Sequence, residues 1–370
     1  MPKWTVPYTA LSEEATILKK DYLAAFEKVL LSGRYILGPE VSAFEQEFAE
    51  YCQAPFVLGV ATGTDALFLV LRSLGLQDGD EVITAPNSFI ASASSIALAG
   101  AKPVFVDIRS DGNMEPALLE KSITPRTKAI MPVHLTGRPA SMPAIIDIAK
   151  KYKLFVVEDA AQAVGASLNG KRVGCWGDAA CFSLHPLKNL RAIGDGGIIT
   201  TKHQWLYDRL KQARNHGLVN REQCDFWSYN SRLDELQAAL LRVQFRHLDT
   251  QTEQRRQLAL RYNELLRPYV IVPDEGPGEY CVYQTYVVLA EDRDELKKYL
   301  NDNGVEALIH YAMPIHLQPA AKYLSYSSTD FPQTMQHVSR ILSLPIYPSL
   351  THEQQDHVVT LISGFFKKRA

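Results

Sequence analysis

The sequence predicts a three-layer α/β protein on a mostly parallel seven-stranded sheet, with a smaller α+β domain at its carboxyl end. Three observations carry this expectation: seven short apolar runs in the first two-thirds of the chain, helical periodicity between several of them, and a change of pattern near residue 230. The runs are apolar throughout instead of alternating, as strands buried on both faces are. Strands that alternate with helices are joined by crossovers, which makes neighbouring strands parallel.

In chain order the runs are residues 56–61 (FVLGVA), 81–86 (EVITAP), 103–108 (PVFVDI), 129–134 (AIMPVH), 154–158 (LFVVE), 179–184 (AACFSL) and 197–201 (GIITT). Between them, residues 65–75 (DALFLVLRSLG) and 144–152 (AIIDIAKKY) place apolar side chains at i, i+3, i+4, one face of a helix. Residues 232–266 read as long helical periodicity that Pro268 ends. Beyond them, 283–290 reads as a strand, 292–303 as a helix, and 341 onward as a loop followed by a helix. The expected division is residues 1–250, an arm and a large domain with the start of a long linking helix, and 251–370, the small domain. The arm, up to about Gly38, is expected to pack on the small domain or on a neighbouring subunit.

The chain has 370 residues and a formal net charge of −2, with 46 % hydrophobic and 22 % charged residues. That is the usage of an ordinary soluble globular protein. No apolar run approaches the ~18 residues of a membrane helix, and the opening MPKWTVPYTA shows no secretory signal. Balanced charge leaves no footprint for nucleic acid or an anionic membrane. Cys52, Cys175, Cys181, Cys224 and Cys281 form no C-x-x-C pair, and no His cluster stands at zinc spacing. The expectation is a cytoplasmic enzyme with reduced, mostly buried thiols, no metal, and neither nucleic acid nor membrane as partner.

In such sheets ligands bind beyond the carboxyl ends of the strands, so residues 62–64, 87–89, 159–162 and 183–188 should converge on one crevice. Lys188 follows a buried strand; desolvation there would lower its pKa and free the amine for Schiff-base chemistry. Asp159 also ends a strand, where it could pair with the pyridinium nitrogen of pyridoxal phosphate or simply cap a helix. Gln162 would face the same crevice and could bond a phenolic oxygen. Gly63 and Thr64 precede a helix N-terminus, a turn suited to a phosphate, and Ser183 could add a hydroxyl. Phe89 could stack on a flat ring or belong to the core. Residues 194–197 (GDGG) read as a tight turn into the next strand.

Together these residues resemble a family. The set 63–67 (GTDAL), 158–162 (EDAAQ), 182–190 (FSLHPLKNL) and 194–197 is similar to the DegT/DnrJ/EryC1/StrS aminotransferases. Residues 32–40 (SGRYILGPE), 214–217 (RNHG), 229–239 (YNSRLDELQAA) and 344–348 (LPIYP) match the family's pattern in the same order. The resemblance implies the aspartate-aminotransferase-like fold type I, pyridoxal phosphate as cofactor, and nucleotide-linked keto sugars as substrates.

By position it implies that Lys188 forms the cofactor's Schiff base and moves the proton. Asp159 would hold the pyridine nitrogen protonated, Gln162 would contact the ring hydroxyl, and Phe89 would stack over the ring. Ser183, Gly63 and Thr64 would hold the phosphate. Asn230 would reach the cofactor phosphate of the partner subunit, giving a homodimer with shared active sites. His310, Tyr311 and His316 resemble the segment lining the sugar end of the pocket in members acting at C3 of the hexose, and Tyr35 and His185 would also face substrate. Two positions depart from the pattern: Arg191 and Ser228 stand where the family often has Gly. Arg191 could meet the substrate diphosphate or point to solvent.

The expected function is therefore amination of a dTDP- or UDP-linked 3-keto hexose with glutamate as donor, in deoxyamino sugar biosynthesis. The alternatives are an enzyme of the same fold acting on a cyclitol or related ring ketone, and a non-catalytic regulatory homologue. Related sugar dehydratases replace the lysine by histidine, which Lys188 argues against.

Overall fold

The computed structural model describes residues 4–369; residues 1–3 and 370, the extreme ends of the two expected domains, lie outside the described residues. The strands are β1 (Phe56–Val60), β2 (Glu81–Thr84), β3 (Lys102–Phe105), β4 (Thr127–Ile130), β5 (Phe155–Asp159) and the two-residue β6 (Ser167–Leu168) and β7 (Lys171–Arg172). They continue with β8 (Ala179–Ser183), β9 (Gly197–Thr201), β10 (Glu279–Tyr280), β11 (Tyr286–Leu289) and β12 (Ile341–Leu344). The first six helices are α1 (Leu11–Ser32), α2 (Pro39–Cys52), α3 (Gly63–Ser73), α4 (Ala91–Leu98), the single-turn α5 (Leu119–Ser122) and α6 (Met142–Tyr152). After them come α7 (Gln204–Ala213), α8 (Glu235–Phe245), α9 (Leu248–Leu266), α10 (Arg293–Asp302), α11 (Pro332–Arg340) and α12 (His352–Lys367).

Each of the seven apolar runs contributes one strand to a single sheet, ordered β1-β9-β8-β5-β4-β2-β3. The four pairs from β8 to β3 are parallel, and β9 runs antiparallel to both its neighbours. Alternate side chains of each strand enter opposite layers. Leu58, Val157, Ala179, Cys181 and Ile199 pack under α3 and α7. Val57, Ala180, Phe182 and Ile198 pack against α2 and α8, while Ile130 and Val156 meet α6. This double burial removes the period-2 signal from the sequence and produces the three layers.

The antiparallel β9 matters for the site. Ser183 pairs with Gly197, so the segment 184–196 that carries Lys188 is a hairpin loop pinned at both ends by the sheet. A second core joins the later part of α9 with β11, β12, α10 and α12, and takes in Val6 and Ala10 from the arm.

Two sequence expectations change, and the arm packs on the small domain and also on a large-domain helix. The helical stretch 232–266 breaks at Arg246–His247, because α8 packs on the large domain while α9 feeds the second core. Residues 341–344 are strand β12, antiparallel to β11, and all four are buried, so no alternation marks them. The arm contains a long helix, α1, that lies on α8; before it, Val6 pairs with Val305 of the small domain.

Candidate active site

The four strand-end loops meet. A Cβ on Gly63 would stand 2.7 Å from Ser183 Cβ, and one on Gly197 only 2.3 Å from the Thr62 carbonyl oxygen, so both contacts need glycine. The Thr62 hydroxyl caps α3 by accepting the Asp65 N–H at 2.9 Å. The N–H groups of Gly63 and Thr64, in the first turn, have no helical carbonyl to reach and stand ready for an anion. Ser183 Oγ accepts the His185 N–H at 3.3 Å, which leaves its own proton free to donate.

Asp159 closes β5 and is 4 % exposed. Its Oδ2 accepts the Ser92 hydroxyl at 2.7 Å and its Oδ1 the Ala161 N–H at 3.2 Å. Ser92 in turn accepts from Ser88 at 2.8 Å, so a relay of two hydroxyls leads to the carboxylate. Burial raises the Asp159 pKa and outweighs these bonds; a cation against the carboxylate would restore its charge. Burial brings the Lys188 amine down from 10.5 to about 8, with the charge of Asp159 opposing the fall. Among the described residues no carboxylate lies within ion-pair distance of Lys188.

Gln162 is buried, and its Oε1 accepts the Thr136 N–H at 2.6 Å, leaving the amide nitrogen as a donor. Phe89 is half exposed, its ring 5.5 Å from that of Tyr311. Burial lifts the Tyr311 pKa to about 12, and the nearby Asp159 and Tyr8 push the same way. His310 Nδ1 lies 2.9 Å from Ser343 Oγ; burial and then the Lys188 charge push its pKa down to about 4. His310 and Tyr311 therefore stand with Lys188 and Asp159.

Other expected residues lie differently. His316 is 2 % exposed between Phe105 and Phe331, in an apolar cluster with Ile315, and neither ring nitrogen has a partner among the described residues. The Arg191 guanidinium pairs with Glu14 of α1, so within this chain it is not free to meet a diphosphate. Asn230 and Tyr35 are exposed; Asn230 bridges to Asn215, and the Tyr35 hydroxyl bonds the Leu30 carbonyl at 3.1 Å. His185 is exposed and accepts the Leu187 N–H on Nδ1 at 3.2 Å.

Sequence reasoning missed the Ser88–Ser92 relay, and also the buried His134–Glu158 pair at 3.0 Å beneath Asp159. Burial works against the Glu158 charge, but His134 and the N–H groups of Gly177 and Gly174 hold its pKa below the usual value. His134 Nδ1 accepts from Ala140 N–H, so Nε2 carries the proton given to Glu158. Glu158 was visible in the EDAAQ motif; its role was not, because its partners come from loops elsewhere.

The 229–239 motif gains a physical explanation. Glu235 accepts from the N–H groups of Gly38, Glu40 and Val41, capping α2. Gln237 clamps both the N–H and the carbonyl of Ile193, and Gln244 holds the Arg191 N–H, so α8 fixes the lysine loop.

The residues present fit pyridoxal phosphate. They supply a cradle that a Cβ would fill at Gly63, a buried carboxylate short of a cation, an unpaired amine of lowered pKa, and an amide donor.

Comparison with known proteins bears on the chain as a whole. The model of the DegT/DnrJ/EryC1/StrS aminotransferase family matches residues 16–363. A Geobacillus stearothermophilus protein named pleiotropic regulatory protein is 44 % identical over 98 % of this chain and 99 % of its own. The dTDP-3-amino-3,4,6-trideoxy-alpha-D-glucose transaminase of Streptomyces venezuelae is 41 % identical over 96 % of this chain and 95 % of its own. The crystal structure of S. venezuelae DesV in complex with a ketimine intermediate superposes with a TM-score of 0.95 at 41 % identity, covering 97 % of this chain and 98 % of that one. The chain belongs to the DegT/DnrJ/EryC1/StrS aminotransferase family.

Proposed function

We propose that this protein is a pyridoxal-phosphate-dependent aminotransferase that converts the keto group of a dTDP- or UDP-linked 3-keto hexose to an amine, with glutamate as donor. The observation that carries the reading is the unpaired Lys188 amine, of lowered pKa, held opposite the buried Asp159. His310 and Tyr311 beside that lysine, and the 3-amino sugar in the name of the Streptomyces venezuelae relative, support C3 as the position aminated.

When bound, pyridoxal phosphate supplies a ring that withdraws electrons from the carbon undergoing proton transfer. Asp159, fixed by Ser92, would keep the ring nitrogen protonated. The Gly63 and Thr64 N–H groups and the Ser183 hydroxyl would hold the phosphate, Gln162 would donate to the phenolic oxygen, and Phe89 would cover one face. Lys188 Nζ would take the proton from the donor carbon and later return one to the sugar carbon. The donor gives up its amino nitrogen and leaves as its keto acid with an oxygen taken from water, and the sugar takes up that nitrogen as its keto oxygen leaves as water, so the two halves balance.

We read the protein as a homodimer in the cytoplasm. Exposed apolar side chains along α1 (Ile17, Leu23, Leu30, Leu31) and at Trp227 and Tyr229 support a covered face. Asn230, exposed near that face, would serve the partner's phosphate. No helix among the described residues is long and apolar enough to cross a membrane.

Incubation with pyridoxal phosphate, glutamate and a dTDP-linked 3-keto hexose should yield the amino sugar and 2-oxoglutarate by mass spectrometry. Failure with 3-keto sugars but turnover of a cyclitol ketone would move the substrate; no product from any ketone would favour a regulatory protein.

A further inference from the structure

Arg255 on α9 is 7 % exposed, yet among the described residues no carboxylate lies within ion-pair distance of it. Its side-chain hydrogen bond runs from Nη1 to the Ile346 carbonyl at 2.7 Å. An unpaired buried charge is costly to a fold and is usually compensated.

The surroundings place this guanidinium beside the lysine loop. Tyr8 is near enough to Arg255 for the two groups to act on each other electrostatically, and its ring centroid is 5.5 Å from that of His310, which in turn feels the Lys188 charge. Arg191, three residues after Lys188 in the chain, is close enough for the two guanidinium charges to act on each other. Arg191 is neutralised by Glu14, and Glu306 is engaged by the Tyr8 N–H at 2.8 Å. Burial keeps Tyr8 neutral, its pKa pushed up to about 12. Arg255 is thus a buried positive charge that no carboxylate among the described residues pairs.

We propose that Arg255 receives a carboxylate of the amino donor, a dicarboxylic amino acid, and thereby selects the donor without contacting the keto sugar. The proposal rests on the aminotransferase reading with glutamate as donor. Guanidinium offers paired N–H groups in the plane a carboxylate needs, and the bond to Ile346 fixes that plane. The keto sugar carries its charge on the diphosphate at C1, away from the reacting C3, whereas a carboxylate of the donor adjoins its reacting carbon, so the two substrates place negative charge differently.

The test separates the two halves of the reaction in holoenzyme carrying Arg255→Met or Arg255→Lys. Loss of a charged hydrogen-bond pair, roughly 1.5–3 kcal/mol, corresponds to about a 10- to 150-fold weaker apparent affinity for glutamate. Amination of the keto sugar by the amine-loaded protein should stay within about twofold. Glutarate, a dicarboxylate with no amine, should bind the wild-type holoenzyme by calorimetry and bind Arg255→Met at least tenfold more weakly. If Arg255→Met fails to fold by circular dichroism, Arg255→Lys carries the same comparison with a smaller loss. Equal losses in both half-reactions, or unchanged glutarate binding, would overturn the proposal while leaving the proposed function standing. A wild-type protein that glutamate leaves unconverted would remove the donor reading and this proposal with it.

Discussion

Titration of Lys188 offers a quantitative test of the site. Its amine falls from 10.5 to about 8 through burial. At pH 7.5 a group of pKa 8 is roughly one-quarter neutral, against about one part in a thousand for an ordinary lysine, a gain of roughly 250-fold. The neutral amine is the nucleophile, so capture of pyridoxal phosphate by apoprotein should quicken about tenfold per pH unit below 8 and level off above it. The assay mixes apoprotein and pyridoxal phosphate from pH 6.5 to 9.5, traps with borohydride, and counts labelled Lys188 by mass. Asp159 opposes the fall, so Asp159→Asn should move the break to lower pH, even as it weakens the bound cofactor. A rate still climbing tenfold per unit at pH 9.5 would refute the claim that burial tunes this lysine.

Other expectations follow from particular contacts. Gly63→Ala forces a Cβ to within 2.7 Å of Ser183; it should cost about 1–3 kcal/mol and weaken cofactor binding at least tenfold in equilibrium dialysis. Ser92→Ala removes the hydroxyl 2.7 Å from Asp159 and should lower kcat about tenfold or more while shifting its pH profile, whereas Ser92→Thr should restore part of both. Glu235→Ala leaves the Gly38, Glu40 and Val41 N–H groups unpaired; a loss of about 1–3 kcal/mol should appear as a lower denaturant midpoint. His310 and His337 are both pushed down by burial to about 4. The unfolded chain takes up their protons first, so their contribution to stability is complete above about 6.5 and is lost as pH falls toward 4. Melting temperature should drop across that window, and His337→Gln should flatten the drop; a drop of the same size in that variant would contradict it.

The sheet and the lysine loop were legible because their signals are local. An apolar run followed by small or polar residues marks a strand end, and Lys188, Asp159, Gln162 and Ser183 are found that way. What stayed hidden depends on partners far away in sequence. Arg191 looks like an open cation until α1 brings Glu14 to it. His316 belongs to a matching segment, but the aromatic rings of Phe105 and Phe331 enclose it. Strand β12 has no alternation because both its faces are buried. The helix break at Arg246–His247 carries no Pro or Gly, since the change of direction comes from the two cores that α8 and α9 serve. Arg255 reads as one of many helix-surface arginines until its burial, with no carboxylate among the described residues at ion-pair distance, is seen.

In the proposed function Lys188 would condense with pyridoxal phosphate and glutamate would discharge the adduct. The most direct measurement is the absorbance spectrum of purified protein supplied with pyridoxal phosphate, before and after glutamate is added, alongside Lys188→Ala. A visible band in the wild type that glutamate bleaches, and that Lys188→Ala lacks, is the predicted result. No band in the wild type, or the same band in Lys188→Ala, would contradict it.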